Sequence, residues 1–157
     1  MGKVLSELYT VKLVVLMTAA LPIVELRGAI PLGISLGLSP FQSMVWGFVG
    51  SMIPAPFILL AARPIFGWLK GTEPLRNLAQ KITNKSMNNG MKIHKYGSLG
   101  LLIFVAVPLP GTGVWSGSLA AALLSMRLRH ALTLIFIGNA IAAFLLYLLS
   151  IGALTVM

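Results

Sequence analysis

Aspartate and cysteine are both missing from this sequence, and glutamate occurs only at Glu7, Glu25 and Glu73. Without cysteine there is neither a disulfide framework nor a thiolate metal site. With a single acid inside any apolar stretch, a carboxylate-held metal also lacks ligands, so no metal and no cofactor are expected. The two histidines, His94 and His130, fall in basic connecting segments, far in sequence from any serine at depth. An intramembrane serine hydrolase would have no base, and the chain is not expected to be an enzyme. Charge as a whole is scarce: 10% of the 157 residues are charged and 57% are hydrophobic, with a mean hydropathy of +0.93. Soluble domains carry about 25% charged residues. There are too few polar side chains here to clothe a soluble exterior, and long apolar stretches fit a bilayer instead.

What charge there is has one sign. Twelve Lys and Arg give a net charge of +9. In a soluble chain this would suggest nucleic acid, but the bases sit mostly at the ends of apolar segments, where membrane orientation explains them. No nucleic-acid partner is expected. Lys3 and Lys12 ahead of an apolar run imitate a signal peptide, yet no polar mature domain follows, and the segment reads as part of the fold.

Four apolar blocks, Val11–Leu38, Phe41–Leu69, Gly97–Leu124 and Ala131–Leu154, are divided into pairs by a polar stretch, 70–96. The second and fourth read as spanning helices, the second kinked by Pro54 and Pro56. The first and third are broken in the middle. One holds Pro22, Glu25, Arg27, Gly28, Pro31 and Gly33; the other runs Pro108-Leu109-Pro110-Gly111-Thr112-Gly113. The arm Leu13–Val24 would be ~18 Å long as a helix, too short for a ~30 Å core. Re-entrant hairpins fit both blocks.

The pairs resemble copies at an offset of 86, which sets Pro22 on Pro108 and Ser39 on Ser125. Charge placement supports hairpins. Four straight spans would put the Arg127–His130 turn opposite the basic 70–95 stretch, whereas two hairpins put both on one side. The expected fold is therefore an all-α integral membrane protein of two inverted repeats, each a re-entrant helical hairpin followed by a transmembrane helix. Repeat 1 covers 1–69 (hairpin 11–38, helix 41–69). A cytoplasmic basic loop with a short amphipathic helix, capped at Thr72 and stopped at Asn88-Asn89-Gly90, covers 70–96. Repeat 2 covers 97–157 (hairpin 97–124, helix 131–154). Both termini are expected outside a multi-pass protein of the cell membrane.

Glu25 is the strongest single signal. A carboxylate at bilayer depth is costly unless paired, protonated or wet, and such residues mark function. Arg27 beside it presents a planar fork suited to phosphate or carboxylate, and an arm starting after Gly28 would aim a helix N-terminus at the same place. The competing reading makes Arg27 the fixed counter-ion of Glu25. Pro22, Gly28 and Pro31 shape this first tip. Pro108, Pro110, Gly111, Thr112 and Gly113 are expected to line the site opposite Glu25, with Trp115 as a wall or as plain packing. The glycines resemble a phosphate loop only superficially, since no strand precedes them and no Walker lysine follows. Asn139 is read as a hydrogen bond across helices.

"PIVELRGAIPLGI" followed by "VPLPGTGVWSGSLAA" resembles the small multidrug export family, a distant relative of the DedA/VTT membrane proteins, over about Leu13 to Leu149. The resemblance implies paired re-entrant hairpins, with export of drugs or movement of lipids, polyprenyl-phosphate carriers among them. It sets Glu25 and Arg27 as the acidic and basic residues of the first hairpin; the arginine that some DedA proteins carry in the second hairpin is absent here.

The expected function is a secondary transporter or lipid flippase for an anionic lipid or lipid phosphate, proton-coupled through Glu25. The alternatives are a proton-coupled exporter of cationic drugs and a non-transporting membrane scaffold. Expected partners are membrane lipids, a small-molecule or lipid substrate, and a second copy of the chain, since one subunit of this length makes a thin wall around a cavity.

Overall fold

The computed structural model describes residues 2–69, 90–109 and 111–156. The expected amphipathic helix of the basic loop, and Pro110, lie outside them. Every regular element among the described residues is a helix: α1 (Gly2–Ala20), α2 (Glu25–Ser35), α3 (Pro40–Met52), α4 (Pro54–Leu69), α5 (Gly90–Ala106), α6 (Val114–Leu123) and α7 (Leu128–Val156). Two stretches are long and apolar enough to cross a membrane, Pro40–Ala62 and Leu128–Ala153. Phe57, Ile103, Phe144 and Leu149 face outward, while Ser51 and Asn139 are buried. That is the reverse of a soluble protein and suits a chain whose solvent is lipid.

Proline and small residues set the element ends. Pro54 and Pro56 have no N–H to give, so the helical ladder lapses at Ile53 between α3 and α4. Ser39 caps α3, its hydroxyl accepting from the Gln42 N–H (3.2 Å), with Pro40 in the first turn. α2 and α6 end in the same way. The N–H groups of Leu36, Gly37 and Leu38 bond Leu32, Ile34 and Gly33, and those of Leu124, Ser125 and Met126 bond Ala120, Ala122 and Ala121. Gly37 and Ser125 take positive φ, 93° and 52°, as this helix stop requires.

The contacts fix directions. Lys12 lies over the Trp46 ring, and Leu16 meets Gly50, so α1 runs parallel to α3. Ala29 and Ile30 lie at Gly47, and Gly33 at Ser43, so α2 runs back down α3. α1 and α2 thus form a hairpin whose tip, 21–24, reaches the middle of the α3–α4 stretch. Likewise Ser98 bonds His130 and Val105 meets Gly138, so α5 runs parallel to α7. α3–α4 and α7 are antiparallel throughout: Phe41 pairs with Tyr147 and Phe48 with Phe136 (ring centroids 6.4 and 5.1 Å), and Ala55 and Leu59 share a cluster with Ala131 and Ile135. The start of α1 and the end of α7 therefore lie at the Ser39 end, and the end of α4 and the start of α5 at the Arg127 end.

Small residues let these helices approach, as expected where lipid provides no hydrophobic drive. Gly50 is the clearest case: a Cβ there would overlap the Leu16 backbone carbonyl.

Three expectations change in detail. The first arm is not the short Leu13–Val24 piece; α1 has 19 residues, ~28 Å, because its helix extends to Gly2. Gly28 does not precede a helix but lies inside α2, which begins at Glu25. The offset of 86 holds for the first arms, with Ala20 and Ala106 ending α1 and α5. Beyond the tips the register is 88: α3 and α7 begin at Pro40 and Leu128, and Ser51 bonds the residue 88 positions on. At that spacing Ser39 falls on Arg127, and Gly37 rather than Ser39 falls on Ser125. The physical reason is a second tip, 107–113, three residues longer than the first, 21–24, followed by a helix, α6, one residue shorter than α2.

Candidate functional site

The two tips meet beside the middle of the α3–α4 stretch, and the residues joining them come from both halves of the chain. Glu25 is buried, and its carboxylate Oε1 accepts from the Trp115 backbone N–H at 3.1 Å. Trp115 is in the first turn of α6, so a carboxylate from the first tip caps the N-terminus of a helix in the second. Unpaired N–H groups and the helix dipole favour a negative charge there. The backbone is shaped for this contact on both sides. Glu25 takes φ 47°, uncommon for a residue with a side chain, which turns it out of the line of α2. Gly113, at φ 140°, stands directly against the carboxylate, and a Cβ built on it would overlap Glu25.

Arg27, half-buried, also reaches across. Its Nη2 donates to the Thr112 carbonyl (2.5 Å) and to Thr112 Oγ1 (2.6 Å). Thr112 in turn braces its own loop: its hydroxyl lies 2.7 Å from the Val107 carbonyl and 2.8 Å from that of Leu109, and accepts from the Leu109 N–H at 3.2 Å. A third tie runs from the Trp115 ring, whose Nε1 donates to the Ala20 carbonyl at the end of α1 (3.0 Å). Deeper in the packing, Asn139 Nδ2 donates to Ser51 Oγ at 2.7 Å, joining the middles of the two long helical stretches.

Among the described residues the side-chain hydrogen bonds of Glu25 and Arg27 go to the second tip, not to each other. This follows from their spacing: two residues apart at the start of a helix, they project to different sides. The helix N-terminus at the site belongs to α6, and not to an arm after Gly28. The structure brings Glu25 and Arg27 together with Thr112, Gly113 and Trp115. Pro22 is exposed on the first tip, Pro108 is half-buried and Gly111 is exposed on the second, while Pro31 lies on the outer side of α2, away from these contacts. The Ala20 carbonyl and Ser51 went unnoticed in the sequence; an offset of 88 would have set Ser51 on Asn139 and Gly50 on Gly138. No cluster of metal-ligating side chains exists among the described residues.

A family model described as "putative small multi-drug export protein" matches residues 25–145. The chain belongs to that family. No curated protein and no solved structure matches it. In this chain the matched stretch opens on Glu25 itself and takes in Arg27, the whole second tip and the Ser51–Asn139 pair. Family and apolar helices together make it a membrane protein of the transporter class.

Proposed function

We propose that this chain is a secondary transporter in which two re-entrant hairpins, arranged as an inverted repeat of the DedA/VTT kind, enter the bilayer from opposite faces and close it where their tips meet. The antiparallel α3–α4 and α7, and the recurrence of helix ends at 86 and then 88 residues, support this architecture. The Ser39 end and both termini face outward from the cell membrane, and the Arg127 end faces the cytoplasm. The chain has no native cysteine, so impermeant thiol labelling of intact cells should reach Ser39→Cys and leave Asn84→Cys and Leu128→Cys unlabelled. Opposite exposure of Asn84→Cys and Leu128→Cys would defeat the paired hairpins.

The substrate we propose is an anionic lipid or lipid phosphate. One observation carries this: the Glu25 carboxylate occupies the N-terminus of α6, the kind of position in which a phosphate or carboxylate group binds. An internal anion holds the place and an external one competes for it. A proton arriving on Glu25 would weaken its hold on α6, and Arg27 would then pass from Thr112 to the incoming anion. Coupling to protons follows from that exchange. In vesicles carrying the purified protein, movement of fluorescent phosphatidylglycerol should depend on pH in the wild type and lose that dependence in Glu25→Gln. An unchanged rate and pH profile in Glu25→Gln would reduce the residue to a structural role, and absence of any transport in the wild type would favour a scaffold.

The family description favours a second reading, export of drugs; for cationic ones Glu25 would bind drug and proton in turn. The two readings require opposite things of Arg27.

A further inference from the structure

The two hairpins are not packed alike. In the first, α1 lies along α2 with Val15 and Ala19 fully buried. In the second, α6 leans towards α4, sharing a cluster with Ala55 and Leu59, and a groove of about 240 Å³ stays open between α5 and α6. Gly97, Gly100, Leu101, Phe104, Ala120 and Leu124 line it. Two of its α5 lining residues are glycine, Gly97 and Gly100. A Cβ on either glycine would meet nothing within 4 Å. These two glycines are therefore not needed for helix contact, unlike Gly117 and Gly138, which press on Val105.

Basic residues follow closely on the groove's lining in the chain. Gly97 precedes Ser98, whose hydroxyl lies 2.9 Å from His130 Nε2, and Leu124 precedes the turn that carries Arg127, with Arg129 in the first turn of α7, both exposed. Gly97 to Phe104 spans ~10 Å of helix rise, so the groove runs from this charged rim into the apolar layer.

We propose that the groove between α5 and α6 binds one acyl chain of an anionic lipid from the leaflet at the Arg127 end, with the lipid's phosphate on Arg127 and Arg129. The lining is hydrocarbon-like and the rim is cationic, which matches a lipid of that leaflet in both parts. A second copy of the chain fits worse, since it would bring exposed arginines towards their own kind across a two-fold contact. The site lies apart from the tip contacts and does not rest on the transport reading.

The test reads binding alone. The full chain, purified in mild detergent, is titrated with dioleoyl phosphatidylglycerol and, separately, dioleoyl phosphatidylcholine, and bound lipid is counted by native mass spectrometry. We expect one phosphatidylglycerol per chain, held about tenfold more tightly than phosphatidylcholine. Gly100→Phe and Gly97→Leu each fill open space, so both should fold, and each should weaken phosphatidylglycerol at least about tenfold. Leu99→Phe, on the neighbouring exposed face, should bind as the wild type does. Arg127→Gln/Arg129→Gln should erase the preference for phosphatidylglycerol. Unchanged binding in both glycine variants overturns the proposal. So does equal loss in Leu99→Phe, which would mean a non-specific lipid shell, or loss of a dimer with no lipid retained by the wild type, which would assign the groove to a second copy.

Discussion

Gly113→Ala is expected to lower stability by on the order of 3 kcal/mol, although it adds one methyl group. Two causes combine. At φ 140° any side chain is strained, and the Cβ would occupy the place of the Glu25 carboxylate. Displaced from the Trp115 N–H, that carboxylate would remain buried without the hydrogen-bond donor it has in the wild type. The causes can be separated. Gly111 also has positive φ, 84°, but a Cβ there meets nothing within 4 Å. Gly111→Ala should therefore cost only the backbone strain, about 1 kcal/mol. Glu25→Ala/Gly113→Ala should be more stable than the sum of its single changes predicts, by at least about 1 kcal/mol, because the collision is gone. The measurement is unfolding of the purified protein in mixed micelles, followed by tryptophan fluorescence. If Gly113→Ala is no worse than Gly111→Ala, the tips are not held through Glu25.

The all-helical, membrane-embedded character was legible in composition, because a chain with so few charges has no other solvent than lipid. The breaks were legible for a local reason: Pro22, Pro108 and the glycines of the second tip cannot continue a straight helix. Glu25 and Arg27 stood out because ionised groups are costly at depth. The destinations of those two side chains were not legible. Nothing local tells that Glu25 leaves its neighbour for a backbone N–H 90 residues away, or that Arg27 meets a threonine 85 residues away. Such contacts depend on how the two tips dock. The spacing of corresponding helix ends was visible only in outline, since a second tip three residues longer and an α6 one residue shorter than α2 split it into 86 before the tips and 88 after them. A single offset sets Ser39 on Ser125 and hides the match of Gly50 with Gly138 and of Ser51 with Asn139. The groove between α5 and α6 had no sequence signal of its own, because glycine that admits a neighbouring helix and glycine that leaves space look the same.

Arg27→Gln decides the sign of the substrate. Arg27 holds the second tip through Thr112 alone among the described contacts, and glutamine can keep one hydrogen bond to that carbonyl while losing the fork and the charge. If the cargo is an anionic lipid, its phosphate needs the fork once the tips part, and movement of phosphatidylglycerol should fall by about two orders of magnitude, near 3 kcal/mol of lost interaction with a buried charge. If the cargo is a cationic drug, Arg27 repels it, and binding of a test cation such as ethidium should hold or improve. Loss of folding would imitate the first outcome, and Glu25→Gln/Arg27→Gln guards against it. That double change removes both charges together, so it should recover whatever stability the single change loses through an orphaned carboxylate, while leaving lipid movement absent. Stability recovered with transport still abolished assigns Arg27 to the substrate. Stability and transport recovered together would make Arg27 a partner of Glu25 and nothing more. If Arg27→Gln moves phosphatidylglycerol at the wild-type rate, the anionic-lipid reading fails and the export of cations takes its place.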